Sequence, residues 1–367
     1  MPKFPLIKPY ISQDVKDKVC EVLDTGFLTE GSVTKEFEER LRQYIGCRHV
    51  LAVTSCTTGL ELALRALGVG PGDEVIVPDY TFPATADVVA IVGATLVLVD
   101  ICRETMLIDY DALEAAITPR TKAAIPVSLF GNPLDYDRLG ASKEKSGIFL
   151  LEDAACAIGA EFRGLKVGNQ ADISVFSFHP RKFITTGEGG GITTNNPQWA
   201  EWMNSYKHFG LGINESRLTA SFDRIGTNYK LSNLLAAVGL VQMEKIDDLL
   251  ARRLELAENY LDLLKDNPKV GLPQTTRQGK HSQQSFCIYV ENRDGVMQEL
   301  RQTGIEVQIG SYALHRYPPF APGPRCRILG ELPNSRYAFD HCLVLPLYHE
   351  LKLADQQYIV HELMRRL

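Results

Sequence analysis

Long hydrophobic runs are missing from this chain of 367 residues. The longest, such as 88–99, are too short and too interrupted to span a bilayer. The first ten residues hold two lysines and three prolines around no apolar core, so they do not read as a signal peptide. The expected compartment is the cytoplasm. A cationic surplus is missing too. The formal net charge is −6 with no basic block, which argues against a general nucleic-acid partner. None of the eight cysteines stands in a C-x-x-C pair, and the eight histidines are scattered singly. No ligand set for a structural zinc is therefore expected, and the thiols read as reduced and mostly buried. Internal repeats and low-complexity tracts are absent. What remains is an ordinary globular balance, 45% hydrophobic and 23% charged. The length suits one large domain and one smaller.

Short β-like runs alternate with helical patterns. Val15, Val19, Val22 and Leu23 predict a helix over 14–24, stopped by Thr25-Gly26. Phe37, Leu41, Tyr44 and Ile45 predict another over 35–45. Strands are predicted at 49–54, 74–77, 94–99, 123–127 and 149–151, with helices between them at 60–67, 87–92, 111–117 and 136–145. That alternation predicts a mainly parallel sheet covered by helices on both faces. A helical stretch at 232–264, broken near Asp247, leads to a smaller α/β unit. Its strands are predicted at 285–290, 305–309 and 342–345, and its helices at 296–303 and 355–364. The large domain is placed at 1–245 and the small one at 246–367, the N-terminal segment being a candidate to pack on the latter. Four prolines in 318–324 predict an exposed loop.

Ligands of such sheets gather at the carboxyl ends of strands, and three places qualify. Ser55-Cys56-Thr57-Thr58-Gly59 joins a strand end directly to a helix. Free N–H groups and the helix dipole could hold an anion there, although a plain Ser/Thr cap gives the same pattern and is commoner. Glu152-Asp153 closes the strand at 149–151. Ser177-Phe178-His179-Pro180-Arg181-Lys182 leaves the apolar run 173–178, and Gly187-Glu188-Gly189-Gly190-Gly191 closes the loop. A lysine just past a strand end, beside a small hydroxyl and glycines, could carry an aldehyde cofactor as a Schiff base. Taken alone, it is equally a polar hairpin with a solvated lysine.

Further stretches join these: Gly72-Asp73-Glu74-Val75-Ile76-Val77-Pro78 with Thr81-Phe82; Thr121-Lys122-Ala123-Ala124-Ile125-Pro126-Val127; Glu152-Asp153-Ala154-Ala155; and Gly226-Thr227-Asn228-Tyr229. In this order they resemble the nucleotide-sugar aminotransferases, pyridoxal-phosphate enzymes of fold type I in the aspartate aminotransferase superfamily. The likeness runs from about Gly31 to Leu264 and more loosely beyond. It implies a mainly parallel central sheet with helices on both faces, a smaller C-terminal α/β domain, and a homodimer with shared active sites.

The resemblance also assigns roles. Lys182 would bond pyridoxal 5'-phosphate and later move a proton between carbons. Its amine must be neutral to attack, so a pocket that lowers its pKa is expected. Asp153 would pair with the protonated pyridine nitrogen. Phe82 would stack on the ring, Thr57, Thr58 and Ser177 would hold the phosphate, and Asn228 would reach the phosphate of the neighbouring subunit. Glu188 and the following glycines would shape the loop. Two positions depart from the pattern. Cys156 stands where the family usually has a glutamine, near the cofactor's phenolic oxygen, and is a poorer hydrogen-bond partner. Cys56 lies in the phosphate turn, where it fits unless the position needs positive φ.

The reaction implied is a ping-pong transfer. An amino acid, with L-glutamate the expected donor, would load the cofactor, and a keto sugar on a nucleoside diphosphate would take the amino group. Amino sugars for surface polysaccharide or secondary metabolites would result. Arg316, Arg325, Arg327 and Lys230 are candidate cations for the diphosphate. Tyr312 and His315 are candidate sugar contacts, and local loop packing accounts for them equally well. A keto-cyclitol aminotransferase would use the same chemistry on a carbocycle. A pyridoxamine-dependent sugar dehydratase would commonly carry histidine in place of Lys182. A cofactor-binding regulator without turnover is the rival from another class, and no DNA-binding module supports it.

Overall fold

Strand and helix alternate because the strands are short, largely apolar runs that must be covered on both sides. The computed structural model describes residues 2–212 and 218–367. Its central sheet contains β1 (His49–Val53), β2 (Glu74–Pro78), β3 (Thr95–Val99), β4 (Thr121–Ala124), β5 (Phe149–Asp153), β6 (Ile173–Ser177) and β7 (Gly190–Thr194). The eighth strand, Cys326–Ile328, arrives from far along the chain. The order across the sheet is β1-β7-β6-β5-β4-β2-β3, with Cys326–Ile328 outside β3. Only β7 runs against its neighbours. The physical reason is its connection. No helix lies between Ser177 and Gly190, so the chain returns as a hairpin rather than by crossover.

The helices over the sheet are α1 (Gln13–Thr25), α2 (Ser32–Ile45), α3 (Cys56–Ala66), α4 (Ala84–Ile91), α5 (Tyr110–Ala116), α6 (Tyr136–Ser146), α7 (Pro197–Lys207), α8 (Asn233–Glu244) and α9 (Ile246–Leu264). Alternate strand residues split the core. Val75, Val77, Leu96, Leu98, Leu151 and Val175 pack with residues of α3, α4 and α7. Ile76, Val97, Ala124, Leu150 and Phe176 pack with residues of α2, α5, α6 and α8. A second, antiparallel sheet joins Phe286–Tyr289, Cys342–Leu345 and Gln308–Ile309. It buries Ile288, Leu343 and Leu345 against Leu256 and Tyr260 of α9. Phe4 adds to this core and bridges Ile305. Among the described residues, no helix is long and apolar enough to cross a membrane.

Several boundaries differ from the sequence reading. α3 starts at Cys56 rather than Leu60, because Ser55 and Thr58 form a reciprocal capping box. α2 starts at Ser32 rather than Lys35. β4 stops at Ala124, short of Val127, as Pro126 has no N–H for the ladder. The predicted strand at 305–309 forms a ladder only at Gln308–Ile309, with Ile305 in an isolated bridge to Phe4. The break in the stretch 232–264 falls at Lys245, two residues before Asp247. In the proline loop Phe320 is buried, while its flanks are exposed. The sequence reading did not anticipate α7 or the helix Pro333–His341.

The glycine cluster before β7 has a steric cause. A Cβ on Gly190 would lie 2.6 Å from the Ser55 carbonyl carbon and 2.8 Å from the Cys56 nitrogen, both backbone atoms that cannot swing aside. By contrast, a Cβ on Gly140, in the middle of α6, would meet nothing within 4 Å. Gly190→Ala is expected to cost about 1–3 kcal/mol through overpacking, whereas Gly140→Ala should be neutral or stabilising by up to about 1 kcal/mol. Chemical denaturation of the two variants checks this. Equal stability would contradict a close passage of β7 over the Ser55 turn.

Candidate active site

A cavity of about 540 Å³ opens at the carboxyl ends of the parallel strands. It is lined by the ends of β5 and β6 and the start of α3, together with Gln284, Gln308–Ile309 and Tyr312. Asp153 reaches it as the last residue of β5. Strand alternation sends its neighbour Glu152 the other way, where Ser128, Tyr136 and Ser174 donate hydrogen bonds to that buried carboxylate. Asp153 Oδ2 accepts from Thr85 Oγ1 at 2.7 Å, and Oδ1 from the Ala155 N–H at 3.1 Å. Burial pushes the Asp153 carboxyl up; the Thr85 and Ala155 bonds and the Lys182 charge offset this only in part.

Lys182 lies on the β6–β7 loop, and the structure excludes a solvated hairpin. Phe178 and Phe183 are buried, and Phe178 meets Phe37 of α2 edge-on at 5.3 Å. The loop closes on itself through Lys182 N to His179 O at 2.8 Å and Thr186 N to Phe178 O at 3.0 Å. Two buried glutamines grip it from outside. Gln242 of α8 accepts from the Thr185 N–H at 2.8 Å, and Gln284 accepts from the Phe183 N–H at 3.0 Å. The Lys182 amine lies 3.0 Å from Cys156 Sγ. The expectation of a lowered Lys182 pKa is corrected. Burial pulls the amine down, but Cys156, Cys56 and Asp153 together push it above its ordinary value.

Ser55, Cys56 and Thr57 border the cavity at the N-terminus of α3, and Ser177 borders it from β6. Cys56 has ordinary helical backbone in the first turn, so it fits the turn without positive φ. Thr58 does not line the cavity. Its Oγ1 accepts from Ser55 N and donates to Ser55 O, which spends it on the cap. Phe82 stands on the cavity wall, 62% exposed, edge-on to Tyr312 at 6.2 Å.

Other sequence candidates lie elsewhere. His315 is off the cavity wall, its Nδ1 2.6 Å from buried Asp79 Oδ2. Asn228 is also off this cavity, bridged to His208 and hydrogen-bonded to Lys230. Arg327 pairs with Glu74 at 3.3 Å, at the opposite, amino edge of the sheet, and Arg316 pairs with Asp340. Of the four proposed cations none borders the cavity; Arg181, which the sequence reading passed over, does. Thr85, Gln242 and Gln284 were also missed. Thr85 carried a signal, a small hydroxyl four residues from Thr81, and their oxygens lie 3.1 Å apart. Gln284 carried none, being 101 residues from the N–H it accepts from.

An amine, a buried carboxylate with only neutral donors bonded to it, a helix N-terminus and an exposed aromatic face suit a phosphorylated aromatic aldehyde. Comparison with known proteins agrees. Residues 9–364 match the DegT/DnrJ/EryC1/StrS aminotransferase family. The putative sugar aminotransferase Spr1654 of Streptococcus pneumoniae, in its PMP form, is 30% identical with a TM-score of 0.91, covering 98% of each chain. DesV of S. venezuelae, solved with a ketimine intermediate, is 31% identical with a TM-score of 0.91, covering 100% of this chain and 98% of that one. Helicobacter pylori PseC, an aminotransferase involved in the biosynthesis of pseudoaminic acid, is 29% identical with a TM-score of 0.92, covering 99% and 98%. The expected fold type I architecture is the one observed, and the chain belongs to the DegT/DnrJ/EryC1/StrS aminotransferase family.

Proposed function

We propose that this aminotransferase moves an amino group from an amino acid, L-glutamate being the expected donor, to a keto sugar carried on a nucleoside diphosphate. The observation that carries this is the meeting of Lys182, Asp153 and the N-terminus of α3 at one cavity. Pyridoxal phosphate, when bound, supplies an aldehyde for the amino group and a protonated ring that takes up the electron pair left on carbon. Lys182 Nζ bonds the cofactor and afterwards carries the proton between carbons. Asp153 holds the ring N–H. A cation there draws its carboxyl back down, against the upward push of burial. Thr57, Ser177 and the free N–H groups of α3 hold the phosphate, with Thr58 shaping the turn through its cap. Phe82 covers the ring face. Cys156 holds the resting amine. At the mouth, Tyr312 and Arg181 are the contacts for the sugar and its diphosphate.

The large domain at 1–245 would carry the cofactor, and the small domain at 246–367 would close the cavity through Gln284 and Gln308–Ile309. The active unit is a homodimer in this reading. Asn228 stands outside its own cavity, and Phe27, Phe209, Phe222 and Ile225 are exposed apolar side chains, three of them in the stretch leading to Asn228. A cytoplasmic setting accords with eight cysteines that are all unpaired.

Mass spectrometry of reactions with glutamate and a panel of nucleotide-linked 3-keto and 4-keto sugars, with keto-cyclitols alongside, tests the substrate class. No aminated nucleotide sugar from any of them would sink it. Lys182→Ala should take transfer to the limit of detection, and normal turnover in that variant would remove Lys182 from the reaction. Asp153→Asn should lower kcat by about 10³-fold, roughly 4 kcal/mol. A loss below about tenfold, roughly 1.4 kcal/mol, contradicts its role at the ring. Mixing inactive Lys182→Ala protein with Asn228→Ala protein checks the shared site. Exchanged dimers would hold one intact site and recover up to about a quarter of full activity. Without exchange of Asn228 between subunits, nothing is recovered.

A further inference from the structure

Gln284 meets the lysine loop from just before the strand Phe286–Tyr289, and it is buried. Its side-chain amide bonds on both sides of Lys182. Oε1 accepts from the Phe183 N–H at 3.0 Å, and Nε2 donates to the Arg181 carbonyl at 2.8 Å. A planar amide holds its donor and acceptor in fixed relation. Satisfying both therefore sets the two peptide groups that flank the Lys182 Cα, and with them the direction of its side chain. Gln284 is itself secured through its backbone. Its N–H donates to Phe130 O at 2.9 Å, and its carbonyl accepts from Arg253 Nη1 at 2.8 Å. Arg253 comes from α9 and is fully buried, and its guanidinium lies 5.4 Å from the ring centroid of Phe183. One buried cation thus grips both the clamp and the residue next to the lysine.

We propose that Gln284 is a positioning residue for Lys182, aiming the amine into the cavity only while α9 and the 284 segment are docked on the loop. This rests on the reading of Lys182 as the amine that bonds the cofactor. Leaving either half of the amide unpaired in the interior is costly, so the clamp favours one closed geometry. Glutamate at 284 would keep the acceptor for Phe183 N and set an oxygen against the Arg181 carbonyl.

Cofactor-free protein mixed rapidly with pyridoxal phosphate reports bond formation by absorbance, and borohydride reduction with peptide mapping identifies the bonded residue. Gln284→Glu and Gln284→Leu should form the bond at least about tenfold more slowly and lower kcat by a similar factor, because a misaimed reacting group loses rate rather than binding. Pyridoxamine phosphate, which cannot bond a lysine, should bind both variants within about threefold of the parent, as its contacts lie elsewhere. Bond formation at the parental rate overturns the proposal. Equal losses for pyridoxal and pyridoxamine phosphate also overturn it, since the residue then serves the cavity as a whole. Should Gln284→Leu not fold, the near-isosteric Gln284→Glu decides alone, and failure of both to fold assigns Gln284 to the fold and overturns its role at the lysine. A label in the parent that maps away from Lys182 sinks the functional reading instead.

Discussion

An amine and a carboxylate in one enclosed cavity attract each other, and this site depends on keeping them apart. At 4 Å and an effective dielectric near 20 the attraction is about 4 kcal/mol. Paired, Lys182 and Asp153 would satisfy each other and neither would be free for a ligand. Among the described residues no ion pair joins them. Asp153 is held by the Thr85 hydroxyl and the Ala155 N–H, each a bond to a charged acceptor worth about 1.5–3 kcal/mol. These two bonds weigh more on the Asp153 carboxyl than the Lys182 charge does. Lys182 is held from its own side, by its loop and by the sulfur of Cys156. Each partner is thus held from its own side by hydrogen bonds.

The sheet makes that separation possible. Asp153 ends β5 and Ser177 ends β6, adjacent parallel strands whose carboxyl ends lie at the same edge. Had the chain crossed back from β6 through a helix, Lys182 would have been carried away from that edge. The hairpin instead turns the loop over the ends of the strands and returns as β7, against the grain of the sheet. Gly190 admits the return past the Ser55 turn. The same passage sets β7 against the cap that opens α3, so anion-binding turn, carboxylate and amine are fixed by one local crossing of backbone.

Most of the site's inner residues were legible in the sequence because their meaning is local. A carboxylate at a strand end, a hydroxyl at a strand–helix joint and a lysine between a strand and glycines can each be read within a few positions. Misreadings arose where a partner lies far away. Thr58 resembles a phosphate ligand until Ser55 is seen to occupy it, and Arg327 resembles a free cation until β2 brings Glu74 beside it. His315 is claimed by Asp79, 236 residues earlier. Gln284 has no local signature at all, since nothing in Gln283-Gln284-Ser285 indicates which loop it will meet. The overall α/β alternation was legible for the same reason as the motifs, while helix starts slipped by three or four residues, at α3 because the Ser55–Thr58 capping box extends it.

The direction of the Lys182 pKa is decided by its immediate neighbours rather than by burial. The amine was expected to be depressed, and burial does act that way, but the sulfurs of Cys156 and Cys56 and the Asp153 carboxylate reverse it. The largest upward push comes from Cys156, which also lies 3.0 Å from the amine, so one neighbour governs both its position and its proton affinity. Asp153 contributes least of the three, in keeping with a carboxylate that is bonded to Thr85 and Ala155 rather than to the amine. The two groups are thus governed by different neighbours: the amine by Cys156, the carboxylate by Thr85 and Ala155. Such a division follows from strand geometry, since Asp153 ends β5 while Lys182 rides on the loop beyond the adjacent β6, so each meets its own set of neighbours.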